Sequence, residues 1–504
     1  MHSLYNLVSE NRLVQTYISQ DILDTMNRIF IKTVQLFVLF VIGLNPLSTD
    51  AQTHAKHRLF VITDIGNEPD DMMSMVRLML YSNQVDIEGL VASTSIHQKD
   101  LVQTQLIIKV ITAYGKVRAN LLKHEAAFPE TQTLLSLVKK GIPKYGMEGL
   151  GKGQDSQGSE WLIKMLEKND PRPLYVSIWG GANVLAQALW KLKETRSETE
   201  VQRLLAKLRV YTISDQDDTG FWIRKNFKDL FYIVSPGTYQ HATWSAITGK
   251  VNGADNEVVS NEWITQNIQQ GHGPLGEIYP DVAFGMEGDT PSFLSLIPNG
   301  LNEPEHPDWG AWGGRYELYT PEFDPNIKWI FPLEAETRPI WTNAVDEFSP
   351  RVDSRYGKAT RDDSVIFKNN HVTLWRWRTD FQNDFAARMI WCLADYKNAN
   401  HPPVVKLNGP NTITIKSGET FSLDGRPSYD PDGDALSYYW FQYMEAGTLK
   451  EKQNILPADN ISAILHMVAP KVSAPQSLHF ILKVTDKGSP RLSRYQRLII
   501  NIVP

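Results

Sequence analysis

Arg58-Leu-Phe-Val-Ile-Thr-Asp-Ile-Gly-Asn-Glu-Pro-Asp-Asp-Met-Met-Ser-Met75 decides the fold, because it sets a strand, a turn and a helix around three carboxylates. Residues 59–63 form a short apolar run with β-branched members, suited to a buried parallel strand, and Gly66 with Asn67 then breaks the backbone. Pro69 suits the first turn of a helix, Asp70 and Asp71 put negative charge at the positive end of its dipole, and Met72, Met75, Val76 and Met79 recur at helical spacing. Asp64 therefore leaves the carboxyl end of the strand while Asp70 and Asp71 face it, in the crevice where open α/β sheets bind ligands. Carboxylates meeting there raise one another's pKa unless a cation neutralises them, and oxygen donors without Cys or His suit Ca²⁺ or Mg²⁺. The competing reading is an ordinary βα loop with a helix cap and solvated acids.

From residue 58 to about 300, apolar strands at 59–63, 87–93, 174–179, 208–214 and 230–234 alternate with helical stretches. This alternation predicts an α/β domain with a mostly parallel sheet and helices on both faces. Residues 301–395 are rich in Pro, Gly and Trp (Trp309, Trp312, Trp329, Trp341, Trp375, Trp377) and end in an amphipathic segment at 380–396. They read as a cap returning to the first domain, its tryptophans forming either a sugar-stacking platform or a satellite core. Asn398-Ala-Asn-His-Pro-Pro403 marks a boundary with few contacts expected across it, so the first domain at 58–397 should fold without the tail. Beyond it, period-two strands at 412–415, 420–423, 436–442, 463–468, 477–484 and 497–502 predict an immunoglobulin-like all-β sandwich over 402–504. Its turn carries Asp430, Asp432 and Asp434, a set compatible with a structural Ca²⁺ or with a metal-free Asp-Gly turn.

At 504 residues the chain is long enough for two or three domains, and its net charge of −6 argues against nucleic acid or an anionic membrane as the main partner. The single cysteine, Cys392, lies between Trp391 and Leu393 and reads as a core thiol. Arg28 and Lys32 precede the apolar residues 34–44, and Thr49-Asp-Ala51 gives a small-residue exit before Gln52. This is the pattern of a signal peptide over 26–51, with initiation expected at Met26 and the mature protein secreted or periplasmic. The apolar core falls well short of the roughly twenty residues that span a bilayer, so no stable membrane span is expected.

The first domain resembles the nucleoside hydrolase superfamily, whose signature is an Asp-x-Asp-Pro-Gly-x-Asp-Asp turn. The Thr63-to-Asp71 variant and the sandwich tail together resemble a secreted bacterial subfamily described as nucleoside-hydrolase-like and cellulose-binding, over nearly the whole mature chain. The resemblance implies Ca²⁺ held by Asp64, Asp71, Asp289 and the carbonyl of Ala182, with Asp64 doubling as general base. It also implies that Asp70 and Asn183 contact the sugar. Asp289, in Gly288-Asp-Thr-Pro-Ser292, taken without the family reads equally as a helix cap. The chain departs from the superfamily at Ile62, at a two-residue insertion within Asn67 to Pro69, at Ser95 in place of a sugar-binding asparagine, and at Gly288 in place of a leaving-group histidine.

Ser214-Asp-Gln-Asp-Asp-Thr-Gly-Phe-Trp222 offers Asp217, Asp218 and Trp222 for hydroxyl recognition, or else a solvated loop. His272 and His97 are possible general acids, although a lone His is more often an ordinary surface or core residue. Together these features predict a secreted Ca²⁺-dependent hydrolase of N- or O-glycosyl bonds acting on a carbohydrate or nucleoside-like molecule. The alternative is a carbohydrate-binding, cellulose-binding protein that keeps the fold without turnover.

Overall fold

The strand at the head of the signature, β1 (Arg58–Thr63), is buried along its whole length. Its alternate residues point to opposite faces, Leu59 and Val61 into one hydrophobic core and Phe60 and Ile62 into another. In the computed structural model, which describes residues 55–326, 334–350, 365–456 and 458–504, β1 is an interior strand, third in order, of an eight-stranded sheet. The signal-peptide segment 26–51 and Trp329 lie outside the described residues. The other strands are β2 (Asp86–Ala92), β3 (Val138–Lys140), β4 (Leu174–Ile178), β5 (Leu208–Thr212), β6 (Phe231–Ile233), β7 (Tyr316–Tyr319) and β8 (Ile340–Asn343). They run in the order β3-β2-β1-β4-β5-β6-β8-β7, parallel throughout except for the antiparallel pair β7 and β8. Strand order reverses between β1 and β4, which opens a crevice beyond their carboxyl ends.

The helix Asp70–Leu80 packs Met73, Met75, Val76 and Met79 into the first core, so the periodicity of the signature is that of a helix seated on the sheet. Residues 301–395 do more than cap the domain. They supply β7 and β8 to the main sheet, the antiparallel pair β9 (Asp346–Phe348) and β10 (Phe367–Asn369), and the helix Arg378–Trp391. Trp312, Trp375 and Trp377 are buried among aromatic neighbours, and half-buried Trp341 packs on Phe231, so these tryptophans are core.

The tail has β11 (Thr412–Lys416), β12 (Thr420–Asp424), β13 (Ser437–Gln442), β14 (Ile464–Val468), β15 (Gln476–Thr485) and β16 (Ser493–Val503). A four-stranded sheet β11-β16-β15-β13 and a pair β12-β14 share a core around Trp440, Leu465, Phe480 and Ile500. In its acidic turn Asp430 accepts backbone N–H groups of Asp432 and Asp434 at 2.9 and 3.1 Å, while Asp432 holds the His401 ring at 2.9 Å.

Contacts across the boundary are extensive, contrary to the expectation from the linker. Tyr443, Ile481 and Tyr495 of the tail belong to the same core as Trp312 and Trp377 of the first domain. Buried Asp380 takes both Lys483 (2.6 Å) and the Tyr495 hydroxyl, and Asp384 pairs with Arg494 at 3.0 Å. Arg497 donates to the Leu301 and Gly310 carbonyls at 2.9 Å. The linker composition reports only backbone stiffness, whereas these contacts come from strands on the far side of it, and residues 56–504 form one compact unit.

Removing the chain from Pro402 onward should therefore give insoluble protein, since it bares Trp312 and Trp377 and strands Asp380 and Asp384 in an apolar face. Tyr495→Phe, a milder break at the same seam, should cost about 1.5–3 kcal/mol in urea unfolding, the range for a hydrogen bond to a charged group. A soluble truncated protein with an unchanged cooperative transition would show the seam to be dispensable.

Candidate functional site

Three strand ends converge on the crevice. Asp64 follows β1, Gly180-Gly181-Ala182 follow β4, and the acidic loop 214–218 follows β5. Asp70 and Asp71 enter from the start of their helix, and Asp289 comes from the loop before the short helix Pro291–Leu294. A buried ion pair between Arg77 and Glu287, 2.5 Å long, ties that loop to the helix carrying Asp70 and Asp71. Thr290 adds a 3.0 Å hydrogen bond to Ser74 on the same helix.

Carboxylate oxygens of Asp70, Asp71 and Asp289 lie within 4.8 Å of one another. Asp71 accepts from the Thr63 hydroxyl, and the Oδ2 atom of Asp289 is buried without a hydrogen-bond partner. The carboxylate of Asp289 is therefore not spent as a helix cap. Burial, joined by the charges of the other acids, pushes Asp71 and Asp289 well above the usual carboxylate range and Asp70 to about 7. Burial likewise raises Asp64 to about 6, opposed by a hydrogen bond from Ser95 and by the charge of His97.

Oxygens at 2.3–2.6 Å from one Ca²⁺ lie at most about 5 Å apart, so this all-oxygen group fits a hard cation. Its membership differs from the sequence expectation. Asp70, assigned to the sugar, stands with Asp71 and Asp289, while Asp64 lies beside the group and acts on all three through its charge. The physical reason is placement. Asp70 and Asp71 are neighbours in one helical turn, whereas Asp64 is held on the strand side by Ser95 and by Gly180, where a Cβ would stand 2.5 Å from Asp64 Oδ1. The Ala182 carbonyl accepts the first helix hydrogen bond, from Ala186 N at 2.9 Å, which engages one of its two lone pairs.

The remaining expected residues divide. Asn183 spends its Nδ2 on Thr94 (2.9 Å) and the Lys144 carbonyl (2.7 Å), and its Oδ1 is buried without a partner. Ser95 is fully buried and accepts from His97 N and Gln98 N, so it braces the loop and Asp64. Asp217, raised to about 6 by burial, clamps Thr219 and the Asn183 backbone, and its neighbour Asp218 accepts from Met147 N at 2.8 Å. Both acids are thus committed to holding loops. Trp222 is half-buried, its ring packing on Phe227 against the second core. His272 is buried at the N-terminus of the helix Gly273–Glu277, where Gly273 approaches Leu393, with a pKa lowered by burial, none of the cluster acids among the causes, and its Nδ1 without a hydrogen-bond partner.

Other residues at the site escaped the sequence reading. Glu68, half-buried in the turn, acts through its charge on all four aspartates. Tyr239 hydrogen-bonds His97 at 2.9 Å and feels the charges of Asp64, Glu68, Asp70 and Asp289, which together with burial raise its hydroxyl pKa. Trp244 sits edge-on to Tyr239 and is anchored to Ser214. Glu68 was visible in the signature string, whereas Tyr239 and Trp244 follow β6 in a loop with no motif.

A mostly parallel α/β sheet with a hard-cation type of acidic site at its switch point defines a nucleoside hydrolase-like protein with an antiparallel β-sheet tail. The chain belongs to the family described as cellulose-binding Sde182, nucleoside hydrolase-like domain, which it matches over residues 58–316, and residues 420–502 match the Sde0182 C-terminal domain. Among solved structures it is similar to a nucleoside hydrolase-related hypothetical protein from Saccharophagus degradans that is associated with carbohydrate metabolism. That similarity has 32% identity and a TM-score of 0.74, covering 89% of this chain and all of the other. The type III effector XopQ, solved with adenosine diphosphate ribose, aligns at 10% identity and a TM-score of 0.31 over 57% of this chain and 88% of its own. No curated protein matches. No helix among the described residues is long and apolar enough to cross a membrane.

The acids make a signed prediction for chelated protein. Asp64 and Asp70 hold protons in the fold up to about pH 6 and 7, whereas the unfolded chain releases them near pH 4. Stability from these groups is thus present at low pH and lost as pH rises through 6 to 7. Asp155 and Asp170, held low by Lys191 and Arg172, act in the opposite sense below the ordinary carboxylate range, and His124, His272, His371 and His479, lowered by burial, act in the opposite sense up to the ordinary imidazole value of 6.5. In EDTA the Tm should fall between pH 6.5 and 7.5, where the histidines no longer oppose Asp70, Asp71 and Asp289, and Ca²⁺ at 100 times its Kd should restore about 2.7 kcal/mol at pH 7.5. A Tm indifferent to both pH and Ca²⁺ in differential scanning calorimetry would argue against the cation.

Proposed function

We propose that this protein is an exported, Ca²⁺-dependent hydrolase of glycosidic bonds in a sugar-containing substrate. The observation that carries the reading is the group Asp70, Asp71 and Asp289, with Asp64 beside it, at the switch point of the sheet. Asp70, Asp71 and Asp289 would hold the ion, with Asp64 and the second lone pair of the Ala182 carbonyl as further donors. The ion would neutralise the acids and lower the pKa of a nearby water.

Asp64 then stays ionised at neutral pH and accepts a proton from the water that attacks the anomeric carbon. Ser95 and Gly180 fix the orientation of that carboxylate. Asp217 and Asn183 hold the β4 and β5 loops together beneath it, so the base is carried on rigid strand ends. Direct attack by water predicts inversion at the anomeric carbon. The apolar segment 34–44 and the family's cellulose-binding description support export and a carbohydrate partner.

A second reading is carbohydrate binding without turnover. It is favoured by the same family description and by Gly288, where the superfamily has a leaving-group histidine. A screen for reducing-sugar and nucleoside release, with and without Ca²⁺, run beside a cellulose pull-down, separates the two. Cellulose retention with no Ca²⁺-dependent release on any substrate selects binding alone. Where release is found, Asp64→Asn should lower it by roughly 10²–10⁴-fold with the fold intact, the scale of a lost general base.

A further inference from the structure

We propose that His124 and His401 share one proton beyond their neutral complement, and that this proton fastens the β-sheet tail to the first domain, so that the seam loosens as the pH rises past the ordinary imidazole range.

Two sequence features that the crevice does not use meet here, the linker holding Asn400 and His401 and the acidic turn of Asp430, Asp432 and Asp434. His124, just past the helix Thr104–Leu121, donates from Nε2 to the Ala394 carbonyl at 2.9 Å, and its Nδ1 meets His401 Nε2 at 2.9 Å. His401 presents Nδ1 to Asp432 Oδ1 at 2.9 Å and donates its backbone N–H to Asp432 Oδ2 at 2.7 Å. The contacts therefore run carbonyl, imidazole, imidazole, carboxylate, and both ends accept. Each of the three ring contacts needs one hydrogen, while two neutral imidazoles bring only two. A third proton completes the chain. A fourth has no place, because it would set one N–H against another between the rings.

The surroundings favour one charge and no more. Both rings are buried. Tyr396 stacks on His401 with centroids 3.8 Å apart, and Trp391 lies 5.2 Å from each histidine, so aromatic faces line the pair and favour a cation. Burial and the charge of His401 lower the pKa of His124, which leaves the shared proton on the side of Asp432. The other charged groups around the pair have partners of their own. Lys123 pairs with Asp395 at 2.8 Å, where Lys397 also acts, and Glu125 pairs at 3.1 Å with Arg388, which lies over Trp391. In the turn Asp430 binds the backbone N–H groups of Asp432 and Asp434, and Asp486, raised to about 6 by burial, accepts from Asn400 at 3.0 Å. Asp432 is spent on His401, and among the described residues the acids that converge closely enough for a metal are Asp70, Asp71 and Asp289.

An unfolded histidine gives up its proton at about pH 6.5. The fold keeps the shared proton through that point and so binds more protons than the unfolded chain above it. Stability from this proton is full below about pH 6.5 and is lost as the pH rises. Mildly acidic surroundings thus tighten the seam and its hold on the end of the helix Arg378–Trp391, where Ala394 follows.

The test is urea unfolding of the full chain between about pH 5.5 and 8.5, beside His401→Gln and Asp432→Asn. The ratio of unfolding constants, variant over parent, cancels the crevice acids that all three share. For His401→Gln the ratio should be flat below about pH 6.5 and then shrink by up to tenfold per pH unit, the limit for one proton. Asp432→Asn changes a partly exposed side chain whose amide oxygen can still accept from Nδ1, so this variant keeps the bond and loses only the counter-charge. Its ratio should also shrink with rising pH, because the fold then releases the shared proton earlier. A ratio for Asp432→Asn that is indifferent to pH, or that rises with it, overturns the proposal whether or not His401→Gln folds.

Discussion

Everything at the site depends on one electrostatic conflict, the packing of four aspartates into a crevice where burial and mutual repulsion both oppose their charge. The fold enforces the conflict from both sides. β1 is buried and delivers Asp64, the helix dipole favours Asp70 and Asp71 at its start, and the Arg77–Glu287 pair holds the Asp289 loop against that helix. Arg77 is itself saturated by Glu287 and the Phe381 carbonyl and stacks on Phe385, so its charge is spent on assembly. Protonation or a cation must relieve the acids, and only a cation does so with Asp71 and Asp289 still ionised near neutral pH.

The same helix that carries the acids is pressed from behind by the helix Arg378–Trp391, through Arg77 to Phe381 and through Tyr81 to Asp384. That second helix is in turn gripped by the tail, which supplies Lys483, Arg494 and Tyr495 to its Asp380 and Asp384. A continuous chain of polar contacts therefore runs from the β-sheet tail to the last turn of the acidic helix. Buried charges of this kind are costly unless every partner is present, which makes the tail part of the folding unit of the site.

Two departures from the superfamily signature have different weights. Ile62 in place of an aspartate is absorbed by the second hydrophobic core, where an apolar residue belongs. Gly288 in place of a histidine has no room for a side chain, because Trp244 and Asp70 close the space beside it. The acids are retained while their surroundings depart from the superfamily pattern.

By itself the sequence determined the elements. The core strands of the sheet, the helix after the signature, all six tail strands and the acids at Asp64, Asp70, Asp71 and Asp289 were legible, because local periodicity and turn chemistry act over a few residues. Tertiary structure alone decided which acids meet, since Asp70 and Asp289 are brought together by an ion pair between Arg77 and Glu287 that no spacing announces. It likewise decided that β7 and β8 extend the sheet, that Trp222 faces a core, and that Asp217 clamps a loop. Short or weakly apolar strands gain their stability from pairing with neighbours, and a side chain's surroundings are set by segments hundreds of residues away. Those long-range terms, which also seat the tail on the helix Arg378–Trp391, are invisible to any local pattern.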